Sequence, residues 1–559
     1  MDSVNEYVRS LFKKRAKVTG KWTQMWLNQA KIFFKRQPLC IPEITLDKFE
    51  NLVIIGDMHG EVSNLQHILK INEGEKPNFS KLKKTYVLMG DAIDKGPFCF
   101  EIAMAIFVLC IHNPKNFFFC RGNHEDIFIP SSEAPLHNDK FFMDQLTFRV
   151  AYEKGLLGKI SNEEIVNYLT KTNQPTMYSF REVELKVIAQ KFKSMKDHTK
   201  LLHTSGATKI INLFKEIYCY LPYAFVVKIL QRKIFLVHGG IAFGQYLDES
   251  MFEMDVTIEK INKIKKNKIN ELRLFKFLEI NEKVSDVALK RKIREFYKKQ
   301  TSQNPEEIGL DNFNILEALV WSDVGKEKGV QISKYRPPKF FSSDAFTYVT
   351  SKAEVFGVHK MFGPDVTKKF MKANNIDLII RGHQPIMTIY KVSDTKTEEL
   401  LSYRLHEEHD NKVITIHSNW KHWELNKKFN PRKNVESFLT KRVGAYLDIS
   451  NIGILRIYVY GDLDKKEAKF NKVAEHTKFQ DIKYPTFIHK VPIASQFQAI
   501  QSIKNNLVSG EMNMEALVYN MILDCVRCGN KKNAELLIEK IPNSYRGSVV
   551  EIVNKLKRM

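Results

Sequence analysis

The chain has 559 residues, of which 43% are hydrophobic and 27% charged, and this composition excludes a largely disordered or fibrous protein. A chain of this length predicts two or more domains. Lysine and arginine outnumber aspartate and glutamate by 87 to 64, and the resulting net charge of +23 favours acidic partners. Seven cysteines are too few for a disulfide scaffold, and their odd number favours a reducing compartment.

Residues 1–41 are predicted to form a basic, amphipathic helical segment. Apolar residues recur there at spacings of three and four, namely Trp22, Met25, Trp26, Ala30 and Phe33. One face of the helix is therefore aromatic and the rest cationic. Docking of the aromatic face on the adjacent domain is the favoured interpretation, and binding to an anionic membrane surface is the alternative.

The sequence predicts a cytoplasmic protein, with a nuclear location as the alternative. Its first residues are polar and lack the apolar stretch of a secretion signal. The longest apolar run, residues 103–111, is well short of the length needed to cross a bilayer.

From residue 42 the sequence alternates short apolar runs with helix-like stretches. Five runs each end directly in a polar motif: 52–55 before GDMHG, 86–89 before GDAIDKG, 117–120 before RGNHE, 234–237 before HGG, and 378–380 before RGHQ. Helix-like stretches at 62–71 and 100–112 separate the first three runs. This alternation predicts an α/β sheet with its chemistry at the carboxyl ends of the strands.

The polar motifs contain side chains that bind hard divalent cations. These candidate ligands are Asp57, His59, Asp91, Asn123, His238 and His383. Asp57 and His59 are two residues apart, so at an extended strand end they point to the same side. Carboxylate, amide and imidazole groups that converge from several loops are typical of a two-metal hydrolase.

The five motifs, in this order, resemble the signature loops of the PPP family of phosphoprotein phosphatases, within the calcineurin-like metallophosphoesterase superfamily. Flanking segments are also similar to that family: 113–125, 221–240, 320–323, 413–420 and 443–448. The resemblance implies an α/β fold, a β-sandwich flanked by helices, over residues 42–462 with insertions near 130–205 and 250–310. Residues 463–559 lack the strand pattern and are predicted to form a helical C-terminal domain, a candidate site for a regulatory protein.

The resemblance implies two divalent metal ions held by the six candidate ligands. Asp57, His59 and Asp91 would hold the first ion, and Asp91, Asn123, His238 and His383 the second, with Asp91 as the bridge. A hydroxide shared by the two ions would attack phosphorus in line. The ligand types suit manganese, iron, zinc or magnesium, with manganese favoured in vitro.

The resemblance also implies the acid of the reaction. His124 would donate a proton to the leaving alkoxide, and Asp94 would hold its imidazole in the productive orientation.

Three positions depart from the family's pattern around the phosphate. Lys95 stands where the family usually has an arginine that clamps phosphate, and Phe356 stands in place of a second clamp arginine. Trp420 occupies the position of a tyrosine. Lysine keeps the charge of arginine but presents a point cation instead of a planar fork. We assign Lys95 and Trp420 to substrate binding and expect slower catalysis or an unusual substrate.

The sequence favours a metal-dependent protein phosphatase that acts on phosphoserine and phosphothreonine in phosphoproteins. One alternative is a nucleotide or RNA-end phosphoesterase resembling diadenosine-tetraphosphate hydrolases, because some of those enzymes carry lysine at the position of Lys95. The charge of +23 suits nucleotide substrates, although nucleic acid is the less favoured partner. The other alternative is a phosphatase-derived scaffold with weakened activity, which the altered phosphate clamp motivates.

Overall fold

A computed structural model describes residues 2–46, 51–125, 142–158, 161, 164, 187–188, 205–229, 232–241, 256–264, 310–332, 360–384, 388–391, 398–401, 403–419, 442–449, 455–462, 472–476 and 486–488. Trp420 and Phe356, two of the three positions that depart from the family's pattern, lie outside these residues.

The helices among the described residues are Asp2–Phe12 (α1), Lys21–Lys35 (α2), Val62–Glu73 (α3), Cys99–His112 (α4), Phe142–Glu153 (α5), Ala207–Cys219 (α6), Ile258–Lys263 (α7), Leu310–Trp321 (α8) and Pro364–Asn374 (α9), with a short 3-10 helix at Glu407–His409. The strands are Cys40–Thr45 (β1), Leu52–Ile55 (β2), Thr85–Leu88 (β3), Phe117–Phe119 (β4), Ala224–Ile229 (β5), Arg232–Val237 (β6), Asp323–Val324 (β7), Val330–Ile332 (β8), Lys360–Phe362 (β9), Leu378–Arg381 (β10), Thr388–Lys391 (β11), Glu398–Leu401 (β12), Tyr403–Leu405 (β13), Val413–Ile416 (β14), Arg442–Ile449 (β15), Leu455–Asp462 (β16), Lys472–His476 (β17) and Thr486–Ile488 (β18).

Two large sheets form the centre of the fold. One has the strand order β1-β5-β6-β10-β14-β13 and the other β18-β17-β16-β15-β2-β3-β4. Strands β2, β3 and β4 run parallel, with Leu52 opposite Thr85 and Tyr86 opposite Phe117. In the other sheet β6, β10 and β14 are also parallel neighbours. The carboxyl ends of these strands, where every candidate ligand lies, therefore meet at common edges.

The two sheets face each other across a shared apolar core. Side chains from both contribute to it, including Ile54 and Val87 from one sheet and Leu236 and Ile380 from the other. The strand at 52–55 reads Leu-Val-Ile-Ile and is buried on both faces. Such uninterrupted apolar runs are typical of strands that are covered on both sides. The helices cover the outer faces, α1 to α6 on the seven-stranded sheet and α7 to α9 on the six-stranded sheet. The predicted β-sandwich flanked by helices is confirmed.

The N-terminal helices are part of this packing. Trp26, Ala30 and Phe34 of α2 are buried in the same core as α4, whereas Trp22 is 50% exposed. Helix α4 is apolar on all sides apart from Glu101 and is buried from residue 99 to 110, so its outer side needs a cover, which α1 and α2 provide. Helix α2 is therefore docked on the neighbouring elements through Trp26, Ala30 and Phe34, whereas Trp22 of the predicted face lies outside this contact. None of the described helices combines the length and hydrophobicity needed to cross a membrane.

Two regions differ from the sequence-based expectation. Strands β17 and β18 lie in the segment 463–559, which was predicted to be helical. Strand β17 pairs antiparallel with β16, and β18 pairs antiparallel with β17. Pairing with an existing sheet edge outweighs the weak helical preference of the local sequence. The remainder of the predicted helical C-terminal domain, from residue 489 on, lies outside the described residues. Helix α5 lies in the predicted insertion 130–205, yet its inner face is buried against α4 and α6.

Candidate metal centre

The six predicted ligands come together between the two sheets. All are buried, with exposures of 4% or less. Asp57 and His59 follow β2, Asp91 follows β3 and Asn123 follows β4, while His238 and His383 follow β6 and β10 of the other sheet. Two glycines allow the loops to approach closely: a Cβ at Gly122 would collide with Asp91, and one at Gly382 would collide with the Asp57 carboxylate.

The first group of ligands surrounds the Nε2 atom of His59. This atom lies 3.9 Å from Asp57 Oδ2 and 3.7 Å from Asp91 Oδ2. The other ring nitrogen, Nδ1, is 3.1 Å from the carbonyl oxygen of Ile93. Because a carbonyl can only accept, Nδ1 carries the proton and Nε2 presents its lone pair toward the carboxylates and the Lys95 ammonium. This is the arrangement in which a histidine binds a metal.

The second group is built in the same way around His238. Its Nδ1 donates to the carbonyl oxygen of Met89 at 2.8 Å, so its Nε2 presents a lone pair. That Nε2 lies 3.3 Å from Asp91 Oδ1 and 2.9 Å from Asn123 Oδ1. The Nδ1 of His383 is 2.9 Å from the same amide oxygen. Asp91 thus lies within 4 Å of ring nitrogens in both groups, as the predicted bridging residue requires.

The donor set fits a divalent cation. The amide oxygen of Asn123, the Nε2 of His238 and the Asp91 carboxylate are all electron-pair donors and face one another at hydrogen-bond distance. Rotating the amide would instead point its N–H group at both imidazoles and at Asp91. With the oxygen inward, a divalent cation would satisfy all of these lone pairs together. The residues present therefore suit two ions, with Asp57, His59 and Asp91 around one position and Asp91, Asn123, His238 and His383 around the other.

The backbone at this site is held in an uncommon conformation. Left-handed φ angles between 45° and 70° occur at His59, Asp91, Asp94, Lys95 and His383. Residues other than glycine rarely adopt this backbone conformation, and those that do cluster at functional sites. The loops are stabilised by hydrogen bonds, since the N–H groups of residues 58 and 59 both donate to the Asp91 carbonyl, at 3.0 and 2.8 Å.

The charges around the centre favour the ionised form of the Asp91 carboxylate. Burial alone would raise the pKa of Asp91, but the imidazoles of His238, His124 and His59 outweigh it and hold this pKa well below its usual range. Burial would likewise lower the pKa of His238, and the Asp91 carboxylate reverses that shift and raises it. Burial, followed by the negative charge of Asp91, raises the pKa of Glu125 to about 7.

His124 and Asp94 form a pair at the rim of the centre. His124 Nδ1 is 2.8 Å from Asp94 Oδ2, and the His124 side chain is 20% exposed. The other oxygen of Asp94 accepts the backbone N–H of Phe142, at the start of α5, at 2.8 Å. The backbone N–H of His124 donates to Asp91 Oδ1 at 2.9 Å. The imidazole is therefore fixed to the ligand cluster, with its Nδ1 held by a carboxylate and its ring open to the outside.

Of the two predicted substrate residues, the structure describes Lys95. Its ammonium donates to the Nε2 atom of His59 over 2.9 Å. This contact occupies the Nε2 lone pair that a cation would use, so the Lys95 ammonium must leave Nε2 when the first metal position is filled. Trp420 lies outside the described residues, directly after Asn419.

The structure adds three residues that the sequence analysis left without a role. His417 lies with Asp57 and His59, with possible ligand atoms of the three within 4.8 Å of one another. Asp323 Oδ1 is 3.6 Å from His383 Nε2. Glu125 accepts the backbone N–H groups of residues 91, 92 and 122 at 2.7 to 2.9 Å, which joins the second and third motifs. His417 carries the same sequence signal as the predicted ligands, a polar residue directly after a buried apolar strand.

The chain is similar to several protein phosphatases. Curated relatives include serine/threonine-protein phosphatase 5 of Homo sapiens, 22% identical over 68% of this chain and 48% of that protein, and serine/threonine-protein phosphatase with EF-hands 1 of Mus musculus, 24% identical over 67% and 40%. The chain thus spans less than half the length of these relatives. A solved structure of a Saccharomyces cerevisiae protein serine/threonine phosphatase with similarity to human phosphatase PP5 is 16% identical, with a TM-score of 0.42 over 80% of this chain and 88% of that chain.

The family assignment rests on a match over the catalytic motifs. The model of the calcineurin-like phosphoesterases matches residues 51–387, which is more than half of the chain and includes all six candidate ligands, His124 and Asp94. The chain belongs to the calcineurin-like phosphoesterase family.

Proposed function

We propose that this protein is a metal-dependent phosphatase that hydrolyses phosphoserine and phosphothreonine in proteins. The observation that carries the proposal is the His124–Asp94 pair beside a complete set of metal ligands. The leaving group of a serine or threonine phosphate is an alkoxide, which is strongly basic and departs slowly unless it receives a proton. A positioned general acid typically accelerates such a step by about 10²–10⁴-fold.

The side chains of the site have separable tasks in this proposal. Two divalent ions, when bound, would lower the pKa of a bound water molecule and neutralise the negative charge of the phosphoryl group. Asp57, His59, Asn123, His238 and His383, with the bridging Asp91, would hold them. The carbonyl groups of Ile93 and Met89 keep the protons of His59 and His238 away from the metal positions.

His124 holds the proton that the leaving oxygen needs. Asp94 accepts from its Nδ1, so the acidic proton is carried by Nε2 on the opposite side of the ring. Asp94 is itself held by the backbone N–H of Phe142, and this contact fixes the direction of the imidazole. The His124 side chain is 20% exposed, which supports access of a protein substrate to this acid.

Nucleotide hydrolysis is the second candidate function, and the observation that favours it is Lys95. A lysine binds a polyphosphate as a point charge and does not require the geometry of a bidentate clamp. A phosphate leaving group is also a weaker base than an alkoxide, so it depends less on His124. The His124–Asp94 pair therefore favours a phosphoprotein over a nucleotide as the substrate.

A competitive assay separates the candidates. The metal-free protein is supplied with Mn²⁺ and presented with phosphoserine, phosphothreonine and phosphotyrosine peptides, diadenosine tetraphosphate and capped RNA. We expect the highest kcat/KM on the phosphoserine and phosphothreonine peptides, with no turnover by the Asp91→Asn variant. The His67→Asn variant, altered on the outer part of α3, should match the unmodified protein.

Two results would overturn the proposal. Faster turnover of diadenosine tetraphosphate or capped RNA would identify a nucleotide hydrolase. Binding of phosphopeptide without turnover, at any metal concentration, would identify a scaffold derived from a phosphatase.

A further inference from the structure

We propose that His417 is an additional protein ligand at the first metal position. This inference rests on the proposed metal-dependent function and goes beyond the ligand set that the motifs imply. It gives the first position two imidazoles and two carboxylates, from His59, His417, Asp57 and Asp91.

The geometry places His417 within the ligand cluster. Possible ligand atoms of Asp57, His59 and His417 lie within 4.8 Å of one another, and all three side chains are buried. A cation with bonds of about 2.0–2.2 Å to nitrogen and oxygen reaches ligands up to about 4.4 Å apart on opposite sides. A small adjustment of side-chain torsions therefore closes this cluster on one ion.

The backbone holds His417 in place from both sheets. Residues 57 and 417 form a parallel β-bridge that joins the ends of β2 and β14. The carbonyl of His417 accepts the N–H of Ala445 at 2.9 Å. The hydroxyl of the next residue, Ser418, accepts the N–H of Gly56 at 2.8 Å. The position of His417 is thus set by strands rather than by a loose loop, as a ligand site requires.

One contact opposes ligation and is outweighed. The backbone N–H of Asn419 donates to the Nδ1 of His417 at 3.2 Å, which puts the ring proton on Nε2. Binding a metal through Nε2 moves that proton to Nδ1 and ends the contact with Asn419. A single neutral hydrogen bond contributes much less free energy than one ligand of a divalent metal site, so ligation prevails.

The added ligand makes the two positions chemically alike. The second position has two imidazoles, from His238 and His383, together with the oxygens of Asp91 and Asn123. Without His417 the first position would have one imidazole, from His59. Imidazole ligands suit zinc and iron, whereas magnesium and manganese prefer oxygen ligands, so His417 shifts the preference of the first position toward zinc and iron.

Metal titration tests the inference directly. The full chain is stripped with a chelator and titrated with Mn²⁺, with affinity measured by calorimetry and bound metal by mass spectrometry. We expect two ions per unmodified chain, and in His417→Asn a weakening of one of them by tenfold or more with the other unchanged. His59→Asn is the reference for a lost first ion, and His67→Asn is the matched control that binds both.

A second measurement uses the unmodified protein and so does not depend on how variants fold. With ¹⁵N-labelled histidine and ¹¹³Cd²⁺ at both positions, we expect cadmium couplings to ring nitrogens of four histidines, namely His59, His238, His383 and His417. Couplings to the first three alone, or undiminished affinity in a folded His417→Asn variant, would show that His417 is structural. If the unmodified chain itself binds no pair of ions, the proposed function fails and not only this inference.

Discussion

Two groups of buried histidines in this fold have different surroundings. In the candidate metal centre, His59 and His238 each have one nitrogen on a backbone carbonyl and the other facing carboxylates, with the Lys95 ammonium also 2.9 Å from the Nε2 atom of His59. His406 and His409, around the 3-10 helix, have both nitrogens matched to hydrogen-bonding groups. His409 contacts the Thr367 hydroxyl at 2.8 Å and the carbonyl of residue 325 at 2.7 Å.

The comparison indicates which features of a buried histidine are typical of a candidate metal ligand. Burial lowers the pKa of both His406 and His409, because no neighbour compensates fully for the loss of water. Burial acts on His238 in the same direction, but the Asp91 carboxylate overcomes it. Burial alone therefore does not mark a metal ligand. The mark is a lone pair that points at other electron-pair donors.

Substituting one histidine of each group by asparagine, in separate variants, gives the largest expected difference in metal binding and turnover. In His238→Asn we expect the second ion to be lost and phosphatase turnover to fall by about 10³-fold or more, since a catalytic metal supplies several kcal/mol of transition-state stabilisation. In His409→Asn we expect two bound ions and nearly unchanged turnover, with the free energy of unfolding reduced by about 1–3 kcal/mol. Metal analysis, steady-state kinetics and denaturant unfolding measure the three quantities.

That prediction depends on the two variants behaving differently. Loss of metal in both would mean that the 3-10 helix supports the centre, and the distinction between the groups would be wrong. Full activity in His238→Asn would remove this residue from the ligand set.

His124 represents a third environment, partly exposed and paired with a carboxylate. For His124→Asn we expect kcat on phosphoserine peptides to fall by about 10²–10⁴-fold while both ions stay bound. With p-nitrophenyl phosphate, whose leaving group is far less basic, the fall should be much smaller. Asp94→Asn should produce a smaller loss with the same dependence on the leaving group. An equal loss on both substrates would show that His124 supports the fold or the metals instead of acting as the acid.

The metal centre could be predicted because its signal is local. A buried strand that ends in Asp, Asn or His fixes where the side chain lies, so the ends of β2, β3, β4, β6 and β10 were found within one or two residues. His417 follows β14 in the same manner, yet no family motif draws attention to it. Strands β17 and β18 were missed because they depend on pairing with β16, which is not encoded in their own sequence. The docking of α2 depends likewise on the apolar outer side of α4.

The smallest effect concerns His406 and the pH dependence of stability. Burial lowers the pKa of His406 from 6.5 to about 4, with Glu408 opposing this shift and Arg404 and Arg381 adding to it. Between these two pH values the unfolded chain binds a proton at this residue that the folded chain does not bind. The free energy of unfolding therefore falls as the pH drops below 6.5, by up to about 1.4 kcal/mol per pH unit from this histidine.

Substitution isolates this contribution from that of the metal centre. Unfolding of the metal-free protein is followed in a chelating buffer between pH 4.5 and 6.5. Burial would raise the pKa of Glu408, but contacts with His406 and Arg404 outweigh burial and lower this pKa from 4.5 to about 2. The contribution of Glu408 to the free energy of unfolding is therefore lost only below pH 4.5, outside the measured range. His406→Asn should flatten the slope while lowering stability at pH 7 by about 1 kcal/mol through the lost contact with the Thr415 hydroxyl. If the slope of stability against pH is unchanged in His406→Asn, His406 takes up its proton in the folded state as well, with Glu408 as its counter-ion. The pKa of His406 would then not be lowered by burial, and the contrast with His238 would be wrong.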